Sequence, residues 1–433
     1  MTPGPCRPPS RSRPGPHARI PTPMTALMAL VAAILLGLSA GCGGGRTTDG
    51  PDLAPLGTAP PPPGMPVGVM VWAPQNTATG PSFPDLPLIG QAFADLVNTQ
   101  GGVNGRPLHV ITCDELGTAD GATRCAREAA ERKVLAVVGS YSSHASAYLR
   151  VLEAAGIPYL GGAPLSDADL TSPAAFPITG GPSLMVAGAA KLAATHGCRR
   201  VALVRQDVIG VPMLERYARA GLAAGGAALA AVTELPSGPV AVDDVVTRAT
   251  TDSDCVVLAT DQEGTQRFLA AYQQRGATQQ LFILGGGQST GVAAQFPDIA
   301  PRTFVIDAVA PAANGAWDRY RDAVARSPHA TDVDTAGTLQ RQTWAAFEVF
   351  LQVARQLTRF DAAAMTASLR ESAAVDTGGL VPSLNFAAPG RLPGLGRLFN
   401  PTVTYQRFDD GRYTELHPGF EDLSTVLAAA AGR

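Results

Sequence analysis

Two adjacent serines, Ser142 and Ser143, stand in the segment VVGSYSSHASAYL at residues 137–149, where an apolar run ends in glycine and a helical pattern begins. Hydroxyl groups at such a corner suit a serine nucleophile, a phosphate site, or a site for the carboxylate of a bound metabolite. His144 follows directly, but the G-x-S-x-G motif of a nucleophile elbow is missing. The segment therefore favours ligand binding over catalysis, with plain capping of the helix as the simpler alternative.

No other motif in the sequence indicates catalysis, a cofactor or a metal. GGGQSTG at residues 285–291 lacks the lysine of a P-loop, no strand-to-helix corner carries G-x-G-x-x-G, and H-E-x-x-H does not occur. The motifs DSD and DVD are isolated acidic turns, which are more often solvated than bound to metal. We therefore expect no catalytic residue, no cofactor and no metal site.

The elements that would position the two serines alternate regularly from residue 66 onward. Short apolar strand patterns alternate with amphipathic helical patterns, and the helices tend to end in glycine. The strand patterns of the first series are VGVMVWA, RPLHVITCD, VLAVVG and IPYLGG. Strands that are apolar throughout and alternate with single helices predict a parallel sheet with helices on both faces. Ser142 and Ser143 would then lie beyond the carboxyl end of a strand, where such sheets bind ligands.

The alternation begins again after residue 181, with RRVALVRQ, AALAAVTEL, DCVVLATD and QLFILGGG as strand patterns. Beyond residue 309 follow three helical patterns and a β-rich ending with turn signals at APG and DDG. Neither tail piece forms a sheet alone, so both should pack onto the lobes. The sequence predicts an α/β fold of two doubly wound parallel-sheet lobes, with lobe 1 at residues 66–181 plus about 309–375 and lobe 2 at residues 182–308 plus about 376–433.

Composition limits the classes of partner. Of the 433 residues 45% are hydrophobic and only 16% charged, which excludes a wholly disordered chain. The net charge of -3 gives no basic field for nucleic acid. A small molecule is the better expectation for the ligand.

The N-terminal residues indicate export. Arginines without acidic residues precede the apolar run ALMALVAAILLGLSAG, as in a signal peptide, which we place at residues 1–41. A transmembrane anchor is the alternative, because the run approaches the length of a span. LSAGC at residues 38–42 resembles the lipobox of bacterial lipoproteins, although Ser39 stands where leucine is usual. The resemblance implies a lipid on Cys42 that anchors the protein on the extracytoplasmic face of the membrane, with the Gly/Pro-rich residues 42–65 as a linker.

Export also makes the remaining cysteines interpretable. Apart from Cys6 in the signal peptide and Cys42 in the lipobox, the sequence has four cysteines, an even number for an oxidising compartment. The sequence alone permits three ways of pairing them. We favour Cys113 with Cys125, which closes a short strand-to-helix loop, and Cys198 with Cys255, which ties the starts of two neighbouring strands. A zinc site is the weaker alternative, since no two cysteines have CxxC spacing.

Residues 97–143, VNTQGGVNGRPLHVITCDELGTADGATRCAREAAERKVLAVVGSYSS, carry a family resemblance. A helix ending in N-x-x-G-G-V-N-G, a strand, an acidic turn with a helix, and a strand followed by G-x-x-x-S resemble the type I periplasmic binding proteins of the branched-chain amino acid (leucine/isoleucine/valine) group. The likeness continues through AAGIPYLGGAPLSDADL and HGCRRVALVRQDVIG, and more weakly to LNFAAPG. It implies two lobes joined by a three-crossover hinge, which close on a small molecule and pass it to the permease of an ABC importer.

The resemblance also implies ligand-binding residues in the first lobe. Ser143 matches the serine that binds the α-carboxylate of an amino acid, with Ser142 as a neighbouring contact. Ala163 and Leu165 match a backbone and a hydroxyl contact on the next loop, where Leu165 replaces a threonine. Phe83 falls where an aromatic ring lines the first lobe.

In the second lobe the sequence departs from the family pattern. Ile209 and Asp261 stand where tyrosines are usual, and Gly287 stands where a glutamate holds the α-ammonium group. A buried ammonium needs a carboxylate, because an unpaired charge costs several kcal/mol. Asp261 could take that role, Gln288 could bind a neutral group, or the ligand is not an amino acid.

These observations predict an exported, lipid-anchored solute-binding protein, monomeric, that captures an amino acid or related compound for an ABC importer. One alternative is a ligand-sensing receptor domain of the same fold. A secreted hydrolase is the other, and the missing nucleophile motif counts against it.

Overall fold

The computed structural model describes residues 56, 63–77, 80–206, 211–390, 392 and 394–431. The predicted signal peptide, Cys42, most of the linker and Ile209 lie outside these residues. Among the helices described, none is both long enough and apolar enough to cross a bilayer.

Five parallel strands form the sheet of lobe 1, in the spatial order β2, β1, β3, β4, β5. They are β1 (Val67–Ala73), β2 (Leu108–Asp114), β3 (Val137–Val138), β4 (Tyr159–Leu160) and β5 (Ala175–Phe176). Successive side chains of β1 point to opposite faces, and both faces are covered: Val69 and Val71 join one hydrophobic cluster, Met70 and Trp72 another. The uninterrupted apolar pattern of this strand follows from that double burial.

Helices cover both faces of this sheet. The first three are α1 (Leu86–Thr99), α2 (Ala119–Glu131) and α3 (Ala145–Ala155). Helix α3 ends at Gly156, which has the left-handed conformation (φ 67°) that glycine adopts without strain. Three helices from later in the chain complete the lobe, namely α9 (Asp318–Arg326), α10 (Thr338–Ala354) and α11 (Ala362–Glu371). Buried side chains of all three belong to the same hydrophobic cluster as α1.

The sheet of lobe 2 has the order β12, β11, β10, β9, β8, β6, β7, with the short β13 paired to β11. Its parallel strands are β6 (Arg200–Gln206), β7 (Ala228–Leu235), β8 (Cys255–Ala259), β9 (Gln280–Leu284) and β10 (Thr303–Asp307). The antiparallel strands β11 (Thr402–Asp409), β12 (Arg412–Glu415) and β13 (Glu421–Asp422) extend the sheet beyond β10. The tail therefore joins an existing sheet, as expected for a segment that cannot form one alone.

Helices also flank this second sheet. They are α4 (Gly181–Thr195), α5 (Val211–Ala224), α6 (Asp243–Thr251), α7 (Gln262–Gln274), α8 (Thr290–Gln295) and α12 (Ser424–Ala431). Short 3-10 turns precede or follow several elements, including Asp167–Leu170 and Gly285–Gly287. The predicted α/β fold of two doubly wound lobes is confirmed.

Two details of the C-terminal tail differ from the expectation. The DDG signal is correct, since Asp410 (φ 47°) and Gly411 (φ 78°) form the two-residue turn of the β11–β12 hairpin. The described part of residues 383–401, however, contains no strand, so the β-rich ending begins only at Thr402. The proline and glycine residues of this stretch explain the difference, because both residue types are poor strand formers.

The chain passes between the lobes three times: after β5, after β10, and after Phe386. The buried side chains of residues 375–386 pack into lobe 1, so the last crossing comes later than the residue 376 that the sequence suggested. The Nδ2 of Asn400 donates to the carbonyl of Ile178 at 2.9 Å, and the hydroxyl of Thr404 donates to the carbonyl of Val309 at 3.1 Å. These bonds hold the crossing segments beside one another.

Both favoured disulfides are present. Cys113 in β2 is joined to Cys125 in α2, and Cys198 is joined to Cys255 at the start of β8. The second bond links neighbouring strands, because Val201 of β6 lies opposite Cys255 in the parallel register.

Candidate functional site

A cleft between the two lobes encloses a cavity of about 100 Å³ at the carboxyl ends of the strands of both sheets. Lobe 1 contributes residues from three strand-end loops and from the start of α10, namely Pro81, Phe83, Tyr141, Ala163, Leu165, Thr338, Leu339 and Gln342. Lobe 2 contributes Gly181, Pro182, Met185, Gln206, Ala259, Thr260, Asp261, Leu284 and Gly286. The cavity thus lies where open parallel sheets bind ligands, and a molecule inside it contacts both lobes.

Four of the residues singled out from the sequence line this cavity. Phe83, Ala163 and Leu165 face it from lobe 1, and Asp261 faces it from lobe 2. The ring of Phe83 packs against that of Tyr141, with 4.6 Å between the centroids. Ile209 lies outside the described residues.

Ser142 and Ser143 do not line the cavity. Ser142 is fully buried, and its Oγ accepts a hydrogen bond from the backbone N–H of His144 at 3.1 Å. Ser143 is exposed. His144 occupies the N-cap position of α3 and makes no side-chain capping bond. The alternative that one of the two serines caps this helix is therefore wrong. The local bond from Ser142 tightens the turn before the helix instead.

Gly287 and Gln288 also lie off the cavity lining. A Cβ atom at Gly287 would come within 2.7 Å of the carbonyl oxygen of Thr260 and even closer to the hydroxyl of Thr265. The position therefore has no room for a side chain. The amide of Gln288 donates to the hydroxyl of Tyr413.

Asp261 is held within lobe 2 by a closed set of hydrogen bonds. Its Oδ1 accepts from the N–H of Gly264 at 2.7 Å, which makes it the N-cap of α7, and its Oδ2 accepts from Nε2 of Gln206, also at 2.7 Å. The Oε1 of Gln206 in turn accepts from the N–H of Asp261 at 2.9 Å. A carboxylate at a helix N-terminus is stabilised by the helix dipole as well as by these bonds.

Most other polar side chains of the lining are also paired. The hydroxyl of Thr260 bonds that of Thr265 at 2.8 Å. Gln342 donates to the carbonyl of Gly161 and accepts from the hydroxyl of Thr179, each at 3.1 Å. These bonds fix the walls before any ligand arrives.

A buried ion pair lies beside the cavity, where the second crossing meets α10. Arg341 donates to Oδ2 of Asp307 at 2.5 Å, and both side chains are at most 2% exposed. Arg341 also donates to the carbonyls of Ala310 and Ala336, and the hydroxyl of Thr338 donates to Asp307. Because the donors and acceptors are satisfied, the pair is tolerated in the interior and fixes the geometry of the crossing.

Tyr141 is the exception among the polar lining residues. It is 5% exposed, and within the part of the chain that the structure describes its hydroxyl has no hydrogen-bond partner. Burial, with smaller effects from the charges of Glu115 and Asp261, raises the pKa of Tyr141 above its usual range. The group therefore stays a neutral phenol and offers a hydrogen bond to the cavity. Nothing in the sequence indicates this role, because a tyrosine among serines after an apolar strand fits a core position equally well.

One group of potential metal ligands forms among the described residues, and it consists of Cys198, Asp254 and Cys255. Both thiols are used in the disulfide, and the carboxylate of Asp254 accepts from the backbone N–H groups of Arg199 and Arg200. The group is a structural tie between strands, not a metal site.

Comparisons with known proteins agree with this geometry. A sequence model of the family described as periplasmic binding protein matches residues 73–394. No curated protein matches the chain. Among solved structures, the fatty acid ABC transporter substrate-binding protein from Thermomonospora curvata is 15% identical to this chain, with a TM-score of 0.70. The match covers 83% of this chain and 93% of that protein.

Two amino acid-binding proteins share the fold as well. The leucine-binding protein from Thermotoga maritima is 14% identical (TM-score 0.64, 82% of this chain, 99% of its own). The branched-chain amino acid transporter substrate-binding protein from Streptococcus pneumoniae, solved with isoleucine, is 13% identical (TM-score 0.65, 82% of this chain, 98% of its own). The family and these structures are binding proteins, not enzymes. With most of its length matched and both lobes in place, the chain belongs to the periplasmic binding protein family.

Proposed function

We propose that this chain is an exported, lipid-anchored solute-binding protein that captures a small molecule between its lobes and passes it to an ABC importer. The observation that carries the proposal is the cavity, which residues of both lobes line at the carboxyl ends of their strands. Family membership supports the same role.

Binding would be coupled to closure of the lobes. A ligand stabilises the closed state only because that state offers contacts from both lobes at once. The three adjacent crossings allow hinge rotation, and the lobes are already joined by an ion pair between Arg216 of α5 and Asp167 (3.2 Å). Solute capture therefore requires no catalytic group.

Transport and anchoring are supported by separate observations. Two structures that share the fold, from Thermomonospora curvata and Streptococcus pneumoniae, are substrate-binding proteins of transporters, the first of an ABC transporter. At this sequence identity they show the fold alone. The predicted signal peptide and the lipobox-like LSAGC support lipidation at Cys42. An acylated cysteine would keep the protein beside a permease.

Blocking the cavity tests the binding role. Gly286 lines the cleft, and a Cβ built there meets nothing within 4 Å, so Gly286→Leu should fill the cavity without disturbing the fold. We expect a thermal-shift screen of the purified chain against amino acids, amides, organic acids and sugars to give a ligand whose stabilisation, about 2.7 kcal/mol at 100 Kd, is lost in this variant. Gly291→Leu, at an exposed position of α8, is the control. Ligand binding unaffected by Gly286→Leu would contradict the proposal.

Anchoring and transport have their own tests. Labelled fatty acid should enter the wild-type chain in its host and not Cys42→Ala. Deletion of the partner permease should abolish uptake of the ligand found in the screen. Label retained by Cys42→Ala, or uptake that continues without the permease, would remove the corresponding part of the proposal.

A further inference from the structure

We propose that the ligand of this cleft is an apolar, uncharged molecule with a single hydrogen-bonding group that meets the hydroxyl of Tyr141. The inference rests on the proposed function, since it specifies what the solute-binding cleft accepts. It excludes a free amino acid, which would bring both an ammonium and a carboxylate into the cavity.

Gly287, which stands where the family pattern has a glutamate, offers no partner for an ammonium group. Gly287 cannot gain a side chain, because Thr260 and Thr265 occupy the space that a Cβ would need. Asp261 is the only charged residue among the described lining residues, and each of its oxygens already accepts a short hydrogen bond from lobe 2. An ammonium would compete with the cap of α7 for this carboxylate.

Within the described part of the cleft there is also no site for a carboxylate. No arginine or lysine is among the described lining residues, and Ser143 is exposed and does not line the cavity. The N–H of Leu165 donates to Oδ2 of Asp169 at 3.1 Å, so this loop has no free donor at that position. The nearby carboxylate of Asp261 would repel an anion.

The described lining residues thus form a largely apolar surface, with one polar side chain that is unpaired. Phe83, Leu165, Met185, Leu284 and Leu339 supply the apolar walls. Tyr141 lines the cavity, and its hydroxyl makes no hydrogen bond within the described residues. This hydroxyl is therefore free to bond one donor or acceptor on the ligand.

Two matched series of compounds test the ligand class by isothermal titration calorimetry with the purified chain. One comprises leucine, isocaproate, isocaproamide and isoamylamine; the other comprises phenylalanine, hydrocinnamate, hydrocinnamamide and phenethylamine. Each series keeps the apolar body and changes only the charge. We expect an amide to bind, and to bind roughly 10-fold or more tightly than any charged member of its series, because an unpaired buried charge is costly.

The tyrosine is tested with a pair of variants. Tyr141→Phe keeps the ring and removes the hydroxyl, so affinity for the amide should fall by roughly 2- to 13-fold, the net value of one hydrogen bond. Tyr272→Phe is the control, because its hydroxyl donates to the carbonyl of Gln279 away from the cleft. Equal loss in both variants, or none in Tyr141→Phe, would contradict the role of Tyr141.

The two proposals fail in distinguishable ways. If charged compounds bind in a manner that Gly286→Leu blocks, while no amide does, the ligand class is wrong and the solute-binding role stands. If no compound in these series or in the broader screen binds in the cleft, the solute-binding role itself is contradicted.

Discussion

Two neighbouring glycines at the end of β9 have opposite surroundings. Gly286 opens into the cleft, whereas Gly287 is enclosed by Thr260 and Thr265. The first can gain a side chain and so alter ligand choice; the second cannot. This difference, not the presence of glycine as such, determines which position can evolve a charged contact.

The contrast predicts a difference in stability. Gly287→Ala should lower the free energy of unfolding by about 1 to 3 kcal/mol, because its Cβ overlaps the Thr260 carbonyl and the Thr265 hydroxyl. Gly286→Ala should leave it within about 0.5 kcal/mol, as for a surface substitution. Urea unfolding of both variants measures this, and equal effects would contradict the packing described.

Glu115, which follows β2, gives stability a pH dependence. Its carboxyl group is fully buried, and burial raises the pKa from 4.5 to about 7. The folded protein therefore holds this proton over a pH range where the unfolded chain releases it, so the free energy of unfolding falls as pH rises from about 4.5 to about 7.

Glu115→Gln should remove this contribution. Relative to wild type, the variant should gain on the order of 3 kcal/mol between pH 4 and pH 8, since one pKa unit corresponds to about 1.4 kcal/mol. Urea unfolding at the two pH values checks the difference, with Glu131→Gln at an exposed helical position as the control. A constant difference between Glu115→Gln and wild type would contradict the raised pKa.

The sequence could place some cleft residues and not others. Phe83, Ala163, Leu165 and Asp261, which the family resemblance implied, line the cavity. Ser143 was implied by the same resemblance and by its place beyond an apolar strand, yet it is exposed while Tyr141, two residues earlier, lines the cavity. Which residue of a short loop turns inward depends on its backbone conformation, and hydropathy does not encode this.

At the scale of elements, the alternation of apolar strand patterns with helical patterns was enough to predict the parallel core of both sheets. It could not predict the antiparallel addition of β11, whose residues 404–407 pair with β10 about a hundred positions earlier. Nor could it show β3 and β4 as two-residue strands, because VLAVVG and IPYLGG read as longer ones. Pairing partners and strand ends are set by tertiary contacts, not by local propensity.

The disulfides should differ in their contribution to stability. The Cys198–Cys255 bond closes a loop of 57 residues and the Cys113–Cys125 bond one of 12. From loop-closure entropy, replacing both cysteines of the longer loop with alanine should cost about 4 kcal/mol, and of the shorter loop about 3 kcal/mol. Urea unfolding of the two double variants gives the order, and a larger loss at Cys113–Cys125 would contradict it.

At the scale of the whole molecule, the contacts between lobes decide how readily the cleft opens. Arg216 and Asp167 bridge the lobes through side chains that are 51% and 67% exposed. Such a pair contributes little to folding, but it acts directly on the balance between open and closed forms.

Arg216→Ala should therefore raise the Kd of a cleft ligand by about 1.4- to 5-fold, while the free energy of unfolding stays nearly unchanged. Isothermal titration calorimetry at low and high salt should show the effect shrinking as salt rises. Arg219→Ala is the control, because Arg219 pairs with Glu215 inside the same helix. An equal effect in both variants would show that the bridge between lobes is irrelevant to binding.

The late return of the chain to lobe 2 has a consequence for biosynthesis. Val403, Tyr405 and Leu427 complete a core that begins at Leu170 and Leu184, so lobe 2 lacks a wall until residues 403–427 have been made. Until then β10 exposes an unpaired edge, the kind of surface that recruits other chains. Assembly of this lobe must therefore wait until residues 402–427 have been synthesised, and a chaperone that holds the chain open during export would protect that edge.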